Sequence, residues 1–271
     1  MPAGELTVDV ILPTHAGERW VEEAIESVVR QSHSLWQLMV VDDCSPDATA
    51  ERVELLLRGD PDRISLLRLD RPHRAAGARM AGIGRTSGDL IAFLDQDDRW
   101  LPEKLARQVS CFAGDSALAA VHTDIEIIDA DGVPLAGAAD RENAGRARIT
   151  WGTGSGLSAV LFRKNSIRLV SSAVRRTAFE AIGGFDTSLF GGEDWEFWVS
   201  ALSEAGVLAE GFRTVAFTYI GTELTWPIYW EGTLGKAKED LDRAAAGMRE
   251  QLAAISGDAR VATLKAIVSQ A

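Results

Sequence analysis

Four short apolar, partly β-branched runs, Val8 to Leu12, Leu38 to Val41, Ile64 to Leu69 and Leu90 to Leu94, alternate with longer stretches of helical period, and no other feature restricts the fold of this chain as much. Runs of that length between turn residues read as fully buried strands. Strands separated by helices cannot pair as hairpins. The βαβα order therefore predicts a mostly parallel central sheet flanked by helices. With 46% apolar and 25% charged residues in 271, the chain has the material for such a core.

The intervening helices can be placed. Val21, Ala24, Ile25, Val28 and Val29 share one face, Ser45-Pro46-Asp47 starts a helix running to about Arg58, and Ala75 to Thr86 and Pro102 to Phe112 supply two more. Ala119 to Ile128 reads as a fifth strand closed by the turn Asp129-Ala130-Asp131-Gly132, which lacks the further ligands of a calcium loop. Ala136 to Ser158 is glycine-rich and reads as a long loop; Gly152-Thr153-Gly154-Ser155-Gly156 within it lacks the spacing of a phosphate-binding motif. Later come a helix from Arg176 to Ile182 ended by Gly183-Gly184, a helix from Glu193 to Glu204, a strand from Thr214 to Ile220, and an amphipathic helix from Tyr229 to Ile255 that covers the core or forms a homodimer surface.

Chemistry concentrates at the strand ends. Asp95-Gln96-Asp97-Asp98 follows the fourth run and Asp42-Asp43 the second. Ligands of open parallel sheets bind outside the carboxyl ends of the strands, where both sets fall. Neighbouring carboxylates repel, so a divalent cation or hydrogen-bond donors must sit among them. Capping of the following helices uses the same residue types, and residue type alone leaves both uses open. Glu193-Asp194 behind Gly191-Gly192 poses the same choice between helix capping and removal of a proton from a hydroxyl.

The formal charge of -12 excludes broad electrostatic binding to nucleic acid or anionic lipid. Cys44 and Cys111 make no disulfide framework or zinc motif, and no window has the roughly 18 apolar residues of a membrane span. A cytoplasmic protein, working at the membrane surface if its acceptor is lipid-linked, is the expectation.

Taken together, Val10-Ile11-Leu12-Pro13-Thr14, Val41-Asp42-Asp43-Cys44-Ser45, Phe93-Leu94-Asp95-Gln96-Asp97-Asp98 with Trp100-Leu101-Pro102, Ile182-Gly183-Gly184-Phe185-Asp186 and Gly192-Glu193-Asp194-Trp195 resemble glycosyltransferase family 2 over roughly Val8 to Phe217. The resemblance implies a GT-A nucleotide-diphospho-sugar transferase fold in residues 1–224, with a C-terminal helical extension in 225–271. It implies inverting transfer of one sugar from a nucleotide-sugar donor, UDP-linked by default, to a glycan, lipid-linked or small-molecule hydroxyl. By that analogy Pro13, Thr14 and Asp43 hold the nucleoside, with His15, Asp42 and Gln96 beside them. Arg74 and Arg79 lie where relatives place a basic residue near the base or diphosphate, and Arg74 is assigned to the base. Asp95 meets the ribose and, with Asp97, the Mn2+ or Mg2+ ion; Asp194 is the general base and Glu193 its fallback. Met80 stands where relatives carry Asn, and His15 where Tyr or Asn is usual. No Gln-x-x-Arg-Trp motif follows, which favours a single transfer over processive synthesis. Two other readings are a sugar nucleotidyltransferase, whose glycine-rich first loop is replaced here by Pro13-Thr14-His15-Ala16-Gly17, and a nucleotide-sugar binder without turnover.

Overall fold

Each of the four apolar runs becomes a strand in the computed structural model, which describes residues 6–137, 167–189, 191–204, 213–220, 233–256 and 258–265. The chain divides into two compact units, residues 1–124 with 167–184, and residues 125–166 with 185–271.

In the first unit the elements are β1 (Val8–Thr14), α1 (Val21–Val29), β2 (Trp36–Asp42), α2 (Thr49–Leu57), β3 (Ile64–Arg68), α3 (Arg74–Ile83), β4 (Leu90–Phe93), α4 (Lys104–Gly114), β5 (Ala120–His122), β6 (Ser172–Arg175) and α5 (Arg176–Ile182). The sheet order is β3-β2-β1-β4-β6-β5, with β3, β2, β1 and β4 parallel and β6 antiparallel to both neighbours. β4 is buried along its whole length and β1 at all but Pro13, as continuous apolar runs in a parallel sheet require. Val21, Ala24, Ile25 and Val28 of α1 are buried as their spacing predicted and share one core with Val10, Leu12, Leu38, Val40 and Leu90, whereas Val29, expected on the same face, is exposed at the end of the helix. Each of the buried valine, leucine and isoleucine side chains among them contributes roughly 1.5–3 kcal/mol on burial.

α3 packs on β1 and β2. It approaches so closely that a Cβ at Gly82 would lie 2.8 Å from Val41 Cγ2 and 3.3 Å from atoms of Ile11 and Met39. At the amino ends of the strands, buried Asp9 of β1 accepts from Arg176 Nη2 and from the Gly88 amide, both at 2.6 Å. Arg176 Nε also donates to the Gly88 carbonyl, which fixes the start of α5 against β1 and β4.

Three elements differ from the sequence reading. The fifth strand is only Ala120–His122, and a second short strand, β6, lies between it and β4. α3 ends at Ile83 and α4 begins at Lys104, because Pro102 and Glu103 form a turn before the helix. The Asp129 turn forms as expected, its carboxylate accepting the amides of Asp131 and Val133. The glycine-rich stretch 152–156 lies outside the described residues.

The second unit contains α6 (Glu193–Glu204), β7 (Arg213–Ile220), α7 (Thr233–Leu252) and β8 (Asp258–Lys265), with β7 and β8 paired in parallel over eight residues each. α6 buries Trp195, Phe197, Trp198 and Val199, and α7 packs against α6 and β8. The C-terminal extension is therefore helical only through residue 255 and continues as a strand. A boundary after 224 would separate β7 from its partner. The start of the last helix expected at Tyr229 lies outside the described residues.

Candidate functional site

The chain runs outward from β1 to β2 and β3, then returns to β4 on the other side of β1, so the strand order reverses between β1 and β4. Loops leaving the carboxyl ends of these strands part there and open a crevice. The residues predicted from the acidic strand ends lie around it.

Gln96 joins the loops after β1 and β4. Its Oε1 accepts from Thr14 Oγ1 at 2.6 Å and from the His15 amide at 2.8 Å, while its Nε2 donates to the His15 carbonyl at 3.0 Å. The side chain thus pins one loop to the other. His15 itself is exposed, with Nδ1 2.8 Å from the Asp43 carbonyl oxygen.

The next three amides of the β1 loop point into the start of α2. Ala16 N donates to Ser45 Oγ at 3.1 Å, Gly17 N to Thr49 Oγ1 at 2.9 Å and Glu18 N to Asp47 Oδ2 at 3.2 Å. Hydrogen bonds, first that from the Thr49 hydroxyl, hold the Asp47 carboxyl below the usual carboxylate range. Asp42 accepts the Ser45 amide at 3.3 Å and shapes the turn in which Cys44 takes φ 59°.

Asp43 is buried, and each of its oxygens accepts one backbone amide, from His73 at 2.6 Å and from Arg74 at 2.7 Å. The carboxylate therefore caps the first turn of α3 from another strand. Arg74 adopts φ 63° there and presents an exposed side chain. Farther along the helix, buried Arg79 donates from Nη2 to Asp95 Oδ1 at 2.6 Å.

The acidic segment after β4 is thus differentiated. Asp95 is paired with Arg79, and Gln96 is spent on the β1 loop. Burial, and then the neighbouring Asp95 and Asp97 charges, push the Asp98 carboxyl up to about 6 against the pull of Arg168. Asp97 is exposed and makes no hydrogen bond or ion pair among the described residues. An uncommitted carboxylate beside a half-exposed one suits Mn2+ or Mg2+, which take one or two protein oxygens and fill the remaining positions with phosphate and water. No cluster of three or more His, Cys, Asp or Glu side chains able to hold an ion by itself occurs among the described residues.

Thr14, His15, Asp42, Asp43, Arg74, Arg79, Asp95, Gln96 and Asp97 are therefore brought together, with half-buried Pro13 next to last in β1 beside them. Glu193 and Asp194 open α6 in the second unit, where Asp194 Oδ1 accepts the Trp195 amide at 2.8 Å. Sequence reasoning missed Glu196, whose carboxyl is raised first by burial and which accepts from the Ser200 hydroxyl at 2.5 Å. It also missed Lys104, a helical lysine with no acidic neighbour in the next turn to mark it.

Two family models match the chain. Glycosyl transferase family 2 matches residues 9–181, more than half of it, and the trans-2-enoyl-CoA reductase catalytic region matches residues 169–271. Glu193 and Asp194 lie beyond the first match and within the second. Among solved structures, the mannosyltransferase PcManGT from Pyrobaculum calidifontis in complex with GDP-Man and Mn2+ is similar at TM-score 0.55 and 21% identity, over 74% of this chain and 53% of that one. S. aureus TarS 1-349 in complex with UDP-GlcNAc is similar at TM-score 0.57 and 19% identity, over 73% and 54%. Both have the GT-A fold, and this chain shares it. Curated relatives are enoyl-[acyl-carrier-protein] reductases [NADH]. That of Edwardsiella ictaluri is 58% identical over 107 residues, and that of Marinomonas sp. 67% identical over 85. Those stretches make up 40% and 31% of this chain but only 27% and 21% of the relatives, so the chain spans about a quarter of their length. No helix among the described residues is long and apolar enough to cross a membrane.

Proposed function

Because the chain belongs to glycosyl transferase family 2, we propose that it transfers one sugar, with inversion, from a nucleotide-diphosphate donor to a hydroxyl acceptor. The observation that carries this reading is the convergence of Thr14, Asp43, Arg79, Asp95 and Asp97 on the crevice where the strand order reverses. Asp97, with the outer face of Asp95, would hold Mn2+ or Mg2+. The bound ion would supply positive charge to the departing diphosphate. Arg79 fixes the orientation of Asp95. Asp43 has lone pairs left after accepting two amides and offers them to the base or ribose of the donor. Arg74, exposed at the same corner, supplies a donor for the base, and Pro13 and His15 border the nucleoside. UDP-linked sugars are the first choice of donor, and GDP-linked ones the second.

The acceptor hydroxyl needs a proton acceptor, for which Asp194 is proposed and Glu193 is the fallback. This assignment rests on the carboxylate pair at the start of α6 and stands apart from the donor side, which lies within the family-2 match. Similarity to the NADH enoyl reductases favours a second reading, in which residues 169–271 serve reduction of an enoyl thioester. NADH oxidation with such a thioester is the result that would support it.

The deciding experiment is calorimetry with UDP-, GDP- and dTDP-sugars, with and without Mn2+. Manganese-dependent binding of one donor, abolished by Asp97→Ala, is the expected result. A chain that binds none of them, or binds equally well after Asp97→Ala, is not the transferase described here.

A further inference from the structure

Two carboxylates of the site, Asp43 after β2 and Asp95 after β4, are attached to opposite parts of one short helix. Asp43 takes the amides of His73 and Arg74 at its start. Arg79, five residues on and so roughly 7.5 Å along the axis, takes Asp95. A second connection between these strand ends runs through His15, whose ring meets the Asp43 carbonyl and whose amide and carbonyl bond Gln96, but it bypasses both side-chain carboxylates.

Four features make the helix suited to transmit position. Gly82 lets it lie directly on Val41, Ile11 and Met39, so it cannot shift toward the sheet without collision. Its first residue, Arg74, has φ 63°, a backbone conformation that L residues rarely adopt. No side chain from its own N-terminal turn caps it, so the restraint comes from Asp43. Arg79 is buried, with its side chain 7% exposed, and its forked head has little room to choose another direction.

We infer that α3 is a rigid link and that Asp43 acts through it as a positioning residue for Asp95, setting the direction from which the Arg79 guanidinium holds that carboxylate. The inference uses the transferase reading only for what the two carboxylates meet; the link itself stands on geometry. A group bound at Asp43 then bears on the carboxylate beside the metal without touching it, and the effect runs equally in reverse.

Hydrogen exchange on the full chain without ligand tests the link. Asp43→Asn removes one amide acceptor with little change of shape. It is expected to speed exchange at 73–83 and also, by about fivefold or more, at 94–98. Arg79→Gln is expected to speed exchange at 94–98 and, by reciprocity, at 73–74, with Arg79→Lys restoring both in part. A functional readout accompanies it: the Mn2+ dissociation constant measured with UDP present should rise roughly tenfold in Arg79→Gln, the usual effect of losing a group that orients a metal ligand, and recover in Arg79→Lys. If either substitution acts at its own end of α3 alone, the link is overturned. Should Asp43→Asn loosen the whole first unit, the reciprocal effect of Arg79→Gln at 73–74 still decides. Failure of UDP and Mn2+ to bind the unsubstituted chain would sink the transferase reading and leave the exchange result standing.

Discussion

Lys104 is a buried ammonium whose partners are an aromatic face and an amide oxygen. Its Nζ lies 3.9 Å from the Trp100 ring centroid and donates to Gln108 Oε1 at 2.9 Å. Burial alone lowers its pKa from 10.5 to about 7. Between those values the unfolded chain binds the proton that the folded chain has released, so this residue makes stability rise with pH across that window. Below about 7 its penalty is complete and constant. Replacing it with Met should flatten the rise by up to roughly 1.4 kcal/mol per pH unit, read from urea unfolding at two alkaline pH values. Asp194 poses a separate question at the same scale. If it takes the acceptor proton, Asp194→Asn should cost about a hundred- to ten-thousandfold in transfer while donor binding is unchanged. Undiminished transfer would return the residue to its role as the first turn of α6. The sequence indicated which carboxylates gather but not what each is bound to. Asp95 and Arg79 are sixteen positions apart, and Thr14 and Gln96 eighty-two. Only the assembled sheet, with β4 beside β1 and α3 packed on it, brings them within hydrogen-bonding distance.

Elements were legible where burial is two-sided. β1 and β4 appear as unbroken apolar runs because both faces of an interior parallel strand are covered, and α1 because its apolar stripe repeats with the helical period; β3, at the sheet edge, exposes Ser65 and Arg68 and was legible from its leucines and isoleucine alone. β6 was not. Ser172–Arg175 is four residues long and buries a serine whose hydroxyl donates to the Leu169 carbonyl, a pattern without periodicity. β5 was overextended because Ile125, Ile127 and Ile128 alternate with acidic residues as a strand would, yet leave the sheet after His122. α3 carries the sharpest expectation at this scale. Gly82→Ala places a methyl 2.8 Å from Val41 and lifts the helix, which should cost roughly 1–3 kcal/mol in denaturant unfolding. It should also weaken donor binding, because both ends of α3 serve the crevice. A stability loss with donor affinity intact would separate the helix from the site.

At the scale of the whole molecule, two divisions coincide. The family-2 match ends at 181, the first compact unit ends at Gly184, and Gly183 and Gly184 both take positive φ, 93° and 78°. The match to the enoyl reductase region begins at 169, overlaps the end of the family-2 match and runs on through the second unit. A donor held by the first unit should stabilise that unit selectively. Scanning calorimetry with UDP and Mn2+ is expected to raise one unfolding transition and leave a second in place; a single transition that moves as a whole would mean the two parts unfold together. One detail of the first unit sets the character of any grip on the donor. Four successive amides after β1, from His15 to Glu18, are already given to Gln96, Ser45, Thr49 and Asp47. If the proposed donor binds there, its pyrophosphate meets no waiting cradle in these four amides, so more of its retention falls to cations and should fade in a chelating, salty buffer.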